Sequence, residues 1–537
     1  MKMKKISKLL VVLMVIALAL SACGGNGNEA ETGGDEPAEG GNADSGVLMM
    51  ASYVAPVIDW DPSIAFSTES LVLANFYETL LRYDSEKDEF IPILATDYET
   101  SDDGLTWTFT IREGVKFHDG SDMTTDDVVY SLNRSKDIAK GASFIWDPVS
   151  EIKATGDWTV EMTLDYPAPL DLIVSCAYSA YVFSEAVVEG NGGTDWFQEG
   201  NEIGTAPYML QSQVPDDEVV MEKFEEYWGG WDGNHFSKVL VKNVGENASR
   251  RMMIEKGEAD LTNSLMVEDY IELQDSDTVT VYNSSSFANT IGFWNTQHPP
   301  FDNVNVRKAL NYAFPYDEVV TNVSKGFATL GTGPIPVSMW GSVEDPPYTF
   351  DMDKAKELLT EAGYPDGGFD MTLTYISGVE DRKKSAELFK ANLEELGVNV
   401  EIVGLPWEQM WEKAKSTKPE DRQDWLSIAW WPDVVTPASW FKALYYTEPD
   451  EIFWNLAYYS NPDLDKLIDE ADVLSGTDRD AAAKAYQDCA NILAEDAVST
   501  YITDGTSTYV IQNTLQNFSE DPAYPYVLFF YDFYREG

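Results

Sequence analysis

Tryptophan is the residue type whose placement in this chain most suggests chemistry. Trp407, Trp411, Trp425, Trp430, Trp431, Trp440 and Trp454 put seven of the sixteen tryptophans within 48 residues, far more than an even spread would leave there. Trp425 and Trp454 read as core. The segment 430–437 (WWPDVVTP) reads otherwise. It follows a strand-like stretch, 425–429, and so falls on a loop at a strand's C-terminal end, where open α/β sheets hold ligands. It offers ring faces and one carboxylate, Asp433. Such a palette binds; it does not by itself react. A buried ammonium needs a fixed counter-charge, which Asp433 can supply, while sugars need flat aromatic faces beneath their C–H surfaces.

Reactive groups are scarce. His118, His235 and His298 are the only histidines and have no ligand-like spacing; no HExxH, GxSxG or P-loop is present. No metal, no cofactor and no enzymatic activity are expected. A paired-carboxylate hydrolase is the one catalytic alternative, because its spacing is spatial and invisible in sequence. Cys176 and Cys489, in apolar contexts, read as buried free thiols.

The elements that must position the tryptophans alternate between strand and helix. Residues 105–112 (LTWTFTIR) alternate strictly, as a half-buried strand does, and 48–58, 158–164 and 219–223 are also strand-like. Leu71, Leu73, Phe76, Leu80 and Leu81 form a stripe that predicts a helix over 67–83. Thr124 or Thr125, followed by Asp126 and Asp127, caps another running to Asn133. From 351 to 403 the pattern is clearest: a helix capped by Asp351, a strand over 370–375, a helix over 382–396 stopped by Gly397, and a strand over 398–403. That is a βαβ crossover and implies parallel strands. Helices near 463–473 and 479–494 supply covering layers.

The formal charge of −56 excludes nucleic-acid binding, which needs a basic surface. At the N-terminus Lys2, Lys4, Lys5 and Lys8 precede an apolar run over 9–20, too short to span about 30 Å of bilayer at 1.5 Å per residue. It reads as an export signal. The following Leu20-Ser21-Ala22-Cys23 resembles the lipobox of bacterial lipoproteins. That resemblance implies a signal peptide over 1–22, acylation of Cys23, and residence on the outer face of the bacterial cytoplasmic membrane, attached through lipid only. Residues 23–46 have no aromatic and six carboxylates, the composition of a disordered tether reaching about 25–30 Å.

Several blocks, in order along the chain, resemble the extracytoplasmic solute-binding proteins of the oligopeptide/dipeptide/nickel (family 5) class that serve ABC importers. They are 75–84 (NFYETLLRYD), 102–120 (DDGLTWTFTIREGVKFHDG), 125–133 (TDDVVYSLN), 204–208 (GTAPY), 225–228 (EEYW), 299–313 (PPFDNVNVRKALNYA), 362–367 (AGYPDG) and 461–469 (NPDLDKLID). The resemblance implies an α/β, bilobal, periplasmic-binding-protein-like fold of type II, in the large peptide-binding class. Lobe I would comprise 47–290 plus 505–537, with an extra subdomain at 84–200; lobe II would comprise 291–504. The lobes would close on the solute. Arg307 and His118 read as structural.

In peptide-binding members of the class the stretch matching 430–437 reads Trp-x-x-Asp-Tyr-x-acid-Pro, and its aspartate pairs with the peptide ammonium. Trp430 and Asp433 keep that spacing; Val434 and Thr436 depart from it. Trp407 matches a cleft-lining tryptophan, and the same reading adds Trp431, Trp440, Tyr53, Phe287 and Asn289. The expected protein is a monomer that delivers a peptide to ABC permease subunits. An oligosaccharide is the alternative ligand, followed by a nickel chelate or another small solute, or a signalling role on the same fold.

Overall fold

Alternation in the sequence becomes alternation in burial. In the strand Thr106–Ile111, Trp107, Phe109 and Ile111 are buried while Thr106 and Thr108 are half-buried and Thr110 exposed. This strand belongs to an antiparallel four-stranded sheet in the order Ala95–Thr100, Thr106–Ile111, Thr159–Leu164, Val149–Gly156. The computed structural model describes residues 46–53, 55–448, 454–524 and 526–535; Cys23 and the expected tether, but for Gly46, lie outside them.

A larger mixed sheet of eleven strands carries the rest of the fold. Its order is Asn399–Leu405, Asp370–Ile376, Trp425–Trp430, Val279–Trp294, Ser499–Gln512, Leu261–Asn263, Val47–Ser52, Lys238–Asn243, Glu218–Lys223, Tyr208–Val214, with Ala328–Leu330 also on Ser499–Gln512. The expected crossover is present: Asp370–Ile376 pairs in parallel with both Asn399–Leu405 and Trp425–Trp430. The helix Glu380–Glu395 joins the first two and buries Ala386, Phe389 and Leu393. These meet Trp294, Phe314 and Trp425 in a core distinct from the larger one beneath the N-terminal strands. Gly292 sits where any side chain would collide with the Trp425 indole, its built Cβ lying 2.3 Å from the ring. The α/β class and the binding-protein-like, bilobal fold agree with expectation.

Local caps form as the residues predict. Asp127 Oδ2 accepts from the Thr124 N–H at 2.9 Å and from its hydroxyl at 2.8 Å, opening the helix Thr125–Asp137. Asp351 accepts from the Lys354 N–H at 2.8 Å, opening Met352–Glu361. Two expectations need correction. The strand expected over 48–58 ends at Ser52. The helix expected over 67–83 is only Ser70–Leu73, and Leu81–Asp84 is a strand paired with Glu89–Pro92. The cause is long-range: Asn75 Nδ2 donates to the carbonyls of Leu71 and Leu528, both at 2.8 Å, and Asn75 Oδ1 accepts from the Phe530 N–H at 3.0 Å. These bonds to the C-terminal segment hold the chain in turns where the apolar spacing alone would continue a helix.

Arg307 and His118 are internal, as read. The Arg307 guanidinium donates to the carbonyls of Phe301 (2.7 Å), Asp496 and Ala497. Its partners are thus backbone carbonyls rather than a carboxylate. Cys176 and Cys489 are buried and free. Among the described residues no helix is long and apolar enough to cross a membrane, and no group of three His, Cys, Asp or Glu side chains could hold a metal ion.

Candidate functional site

Three parallel strands deliver their C-terminal ends to one edge of the large sheet. After Asp370–Ile376 comes the start of Glu380–Glu395; after Asn399–Leu405 comes Trp407, the first residue of Trp407–Ala414; after Trp425–Trp430 comes the loop carrying Trp431 and Asp433. The register sets Ile376 beside Leu405 and Tyr375 beside Ser427, so these ends are neighbours. Such an edge, with helix N-termini and loop side chains converging, is where open α/β sheets bind ligands.

Trp407 and Trp411, one helical turn apart, are stacked nearly parallel, 5° apart with centroids 6.1 Å from each other. Trp454 packs 4.7 Å from Trp411 and 5.0 Å from Trp430. Trp454, read from the sequence as core, is half-buried and belongs to this aromatic group instead. Trp407 is 47% exposed, Trp431 38%. The Trp430 Nε1–H is committed to the Ser439 carbonyl at 2.8 Å, which fixes the ring. Trp431 stands edge-on to Tyr526 at 6.3 Å, and Tyr53 and Tyr526 interact electrostatically, each tyrosine's value raised chiefly by burial. Tyr53 and Tyr526, from the N- and C-terminal segments, therefore face the tryptophan loop.

Asp433 is half-buried, and its carboxylate has neither hydrogen-bond nor ion-pair partner among the described residues. Burial without compensation pushes it up to about 7. Its backbone carbonyl accepts from the Cys176 thiol at 3.0 Å, which joins the loop to the N-terminal part of the fold. Burial also pushes that thiol up to about 12, so Cys176 packs rather than reacts. Cys176, Ser175, Tyr83 and Tyr524 wall a small pocket against Asp433.

The other expected residues are placed differently. Trp440 is fully buried, and its Nε1–H donates to Asn289 Oδ1 at 3.0 Å. The Asn289 amide donates to the Pro334 carbonyl at 2.9 Å, and Phe287 is buried. In this state these three are occupied with one another or with packing.

One residue escaped the sequence reading. Arg382, in the first turn of Glu380–Glu395, is half-buried, and its guanidinium has no hydrogen-bond or ion-pair partner among the described residues. Burial pulls it down to about 10, against the neighbouring Asp381. A cation in a helix's first turn and a carboxylate on a loop, both without such partners among the described residues, thus stand at the same sheet edge. The signal in the sequence was an arginine just after a strand's C-terminal end.

The sequence model described as "Bacterial extracellular solute-binding proteins, family 5 Middle" matches residues 89–451. A glutathione-binding protein, GsiB of Pectobacterium atrosepticum, is 29% identical over 460 residues, covering 85% of this chain and 87% of its own. Among solved structures, the periplasmic binding protein DppA of Helicobacter pylori, in complex with the peptide STSA, aligns with a TM-score of 0.75 at 23% identity, covering 92% of this chain and 98% of that one. A dipeptide-binding protein of Pseudoalteromonas sp. SM9913, in complex with Met-Leu, aligns at 0.75 with 24% identity, covering 91% and 100%.

Proposed function

The chain belongs to the family 5 bacterial extracellular solute-binding proteins, and from that premise we propose that it captures a short zwitterionic peptide and hands it to an ABC import permease. The observation that carries this reading is the pair of uncompensated charges, Asp433 and Arg382, at one sheet edge. Leaving a charge desolvated costs several kcal/mol unless a partner arrives. A peptide brings both partners, its α-ammonium for Asp433 and a carboxylate for Arg382. Trp407, Trp430 and Trp431, at the same sheet edge, offer ring faces that tolerate varied side chains. The relatives named for glutathione, itself a small zwitterionic peptide, support the same size class.

Closure follows from this reading. Lobe I (47–290 with 505–537) and lobe II (291–504) fold over the peptide, hinged where the strands Val279–Trp294 and Ser499–Gln512 run side by side. The protein acts outside the cytoplasm, held by lipid on Cys23. A second reading, an oligosaccharide, is favoured by one observation, the exposed Trp407 indole backed by the stacked Trp411 ring, which offers a flat aromatic surface.

Calorimetry on four combinations decides between them: wild type and Asp433→Asn, each with a peptide and its N-acetyl form. A shared interaction makes the second change cost little after the first. Additive losses remove Asp433 from the ammonium site, and tight binding of an uncharged oligosaccharide with no peptide bound establishes the alternative.

A further inference from the structure

A cavity of about 270 Å³ opens in the part of the fold built from the N- and C-terminal segments, away from the tryptophan loop. Tyr181, Tyr227, Trp228, Phe529 and Tyr531 line it together with Glu78. Arg82, Ile91 and Asp532, each half-exposed, also line it and leave it open to solvent. It shares only Ser175 and Tyr524 with the small pocket at Asp433.

Three charged side chains line this cavity, and they do not balance. Arg82 is paired with Asp532 at 3.3 Å and lies 4.3 Å over the Phe529 ring. Glu78 is 8% exposed and among the described residues has only neutral donors: Trp228 Nε1–H at 2.9 Å, the Thr205 hydroxyl at 2.8 Å and the Tyr227 hydroxyl at 3.1 Å. Two other cations are engaged elsewhere, Arg112 over the Trp228 ring at 3.9 Å and His118 with Glu202 at 2.6 Å.

From the charge and the rings together, we propose that this cavity binds an organic monocation: a primary ammonium on an apolar, ring-sized body, its N–H groups toward Glu78 and its body against the aromatic walls. Ring faces carry negative quadrupole and attract ammonium groups, and a chain of charge −56 concentrates cations around itself. An anion would meet Glu78 and Asp532, and a neutral alcohol would leave Glu78 without a counter-charge. This site is independent of the solute-capture reading.

The test uses the full chain with 2-phenylethylammonium as probe, by calorimetry and ligand-observed NMR, and 2-phenylethanol as its neutral counterpart. The expected result is sub-millimolar binding of the ammonium, with the alcohol at least about tenfold weaker. Glu78→Gln should weaken the ammonium by about tenfold or more, and Asp433→Asn should leave it unchanged. Ile91→Trp narrows the opening without touching Glu78, so it tests the site even should Glu78→Gln fail to fold; it should abolish binding. No binding to the wild type, equal affinity for the alcohol, indifference to Ile91→Trp, or a loss caused by Asp433→Asn would each overturn the proposal.

Discussion

If Asp433 receives the ligand's ammonium, peptide affinity must depend on pH in a way the unliganded site already dictates. Burial holds this carboxyl at about 7, so at pH 7 about half the unliganded molecules carry it protonated. The ammonium pairs only with the carboxylate. Between pH 6 and pH 7.5 the ionised fraction rises from roughly one-tenth to three-quarters, and the dissociation constant should fall about five- to tenfold. Above about pH 8 the peptide's own α-ammonium deprotonates and the gain reverses. Binding at pH 7 therefore expels roughly half a proton from Asp433, visible as a heat that differs between phosphate and Tris buffers. The peptide is the first to bind from a panel of di- and tripeptides that includes glutathione. Asp433→Asn should flatten the rise and weaken binding by about 2–5 kcal/mol, or roughly thirty- to several-thousand-fold. The same substitution should stabilise the unliganded protein. A carboxyl whose folded value is raised costs stability above its unfolded value, and the cost fades as pH falls. Because Asp433 is only half-buried the gain is small, about a degree in Tm. A dissociation constant flat from pH 6 to pH 7.5, with no buffer-dependent heat, would refute the reasoning.

Arg382→Gln should weaken a peptide with a free C-terminal carboxylate by about tenfold or more and leave its C-terminal amide nearly unaffected; equal losses for both forms, by calorimetry, remove Arg382 from the site. His118 faces an acceptor on each ring nitrogen, Glu202 at 2.6 Å and the Ala206 carbonyl at 2.9 Å, so it is held as imidazolium and, against the cost of burial, Glu202 raises its value. That stability is present below the unfolded value of about 6.5 and is lost as pH rises through the raised folded one; His118→Phe, which strands Glu202, should cost about 3–5 kcal/mol in denaturant melts at pH 6, and a cost unchanged between pH 6 and pH 9 would contradict it. Cys23→Ser should release the protein into the medium or leave uncleaved precursor, followed by fractionation and blotting; mature Cys23→Ser protein retained on membranes would rule out the lipid anchor.

What was legible in the sequence is what short-range physics decides. Thr124 with Asp127 and Asp351 with the Lys354 N–H cap helices through bonds spanning three residues, and those helices start where the residues say. The strand Asp370–Ile376, the helix Glu380–Glu395 and the strand Asn399–Leu405 follow from periodicity and from Gly397, and a crossover of that length pairs in parallel. The family was legible too, in motifs that run through most of the chain. The position of Asp433 needed only the knowledge that its loop follows a strand.

Tertiary structure decided what depends on distant partners. The segment 67–83 has a helix's apolar spacing, but Asn75 is bonded to Leu528 and Phe530, more than four hundred residues away, and the helix stops at Leu73. Trp440 and Trp431 look alike in sequence, yet one is closed in by Asn289 and the other stands 38% exposed beside Tyr526. Arg382 and Asp433 have no hydrogen-bond or ion-pair partner among the described residues, and a missing partner is a property of the whole surroundings. Local propensity acts over a few residues, whereas burial and charge compensation are settled only when remote segments meet.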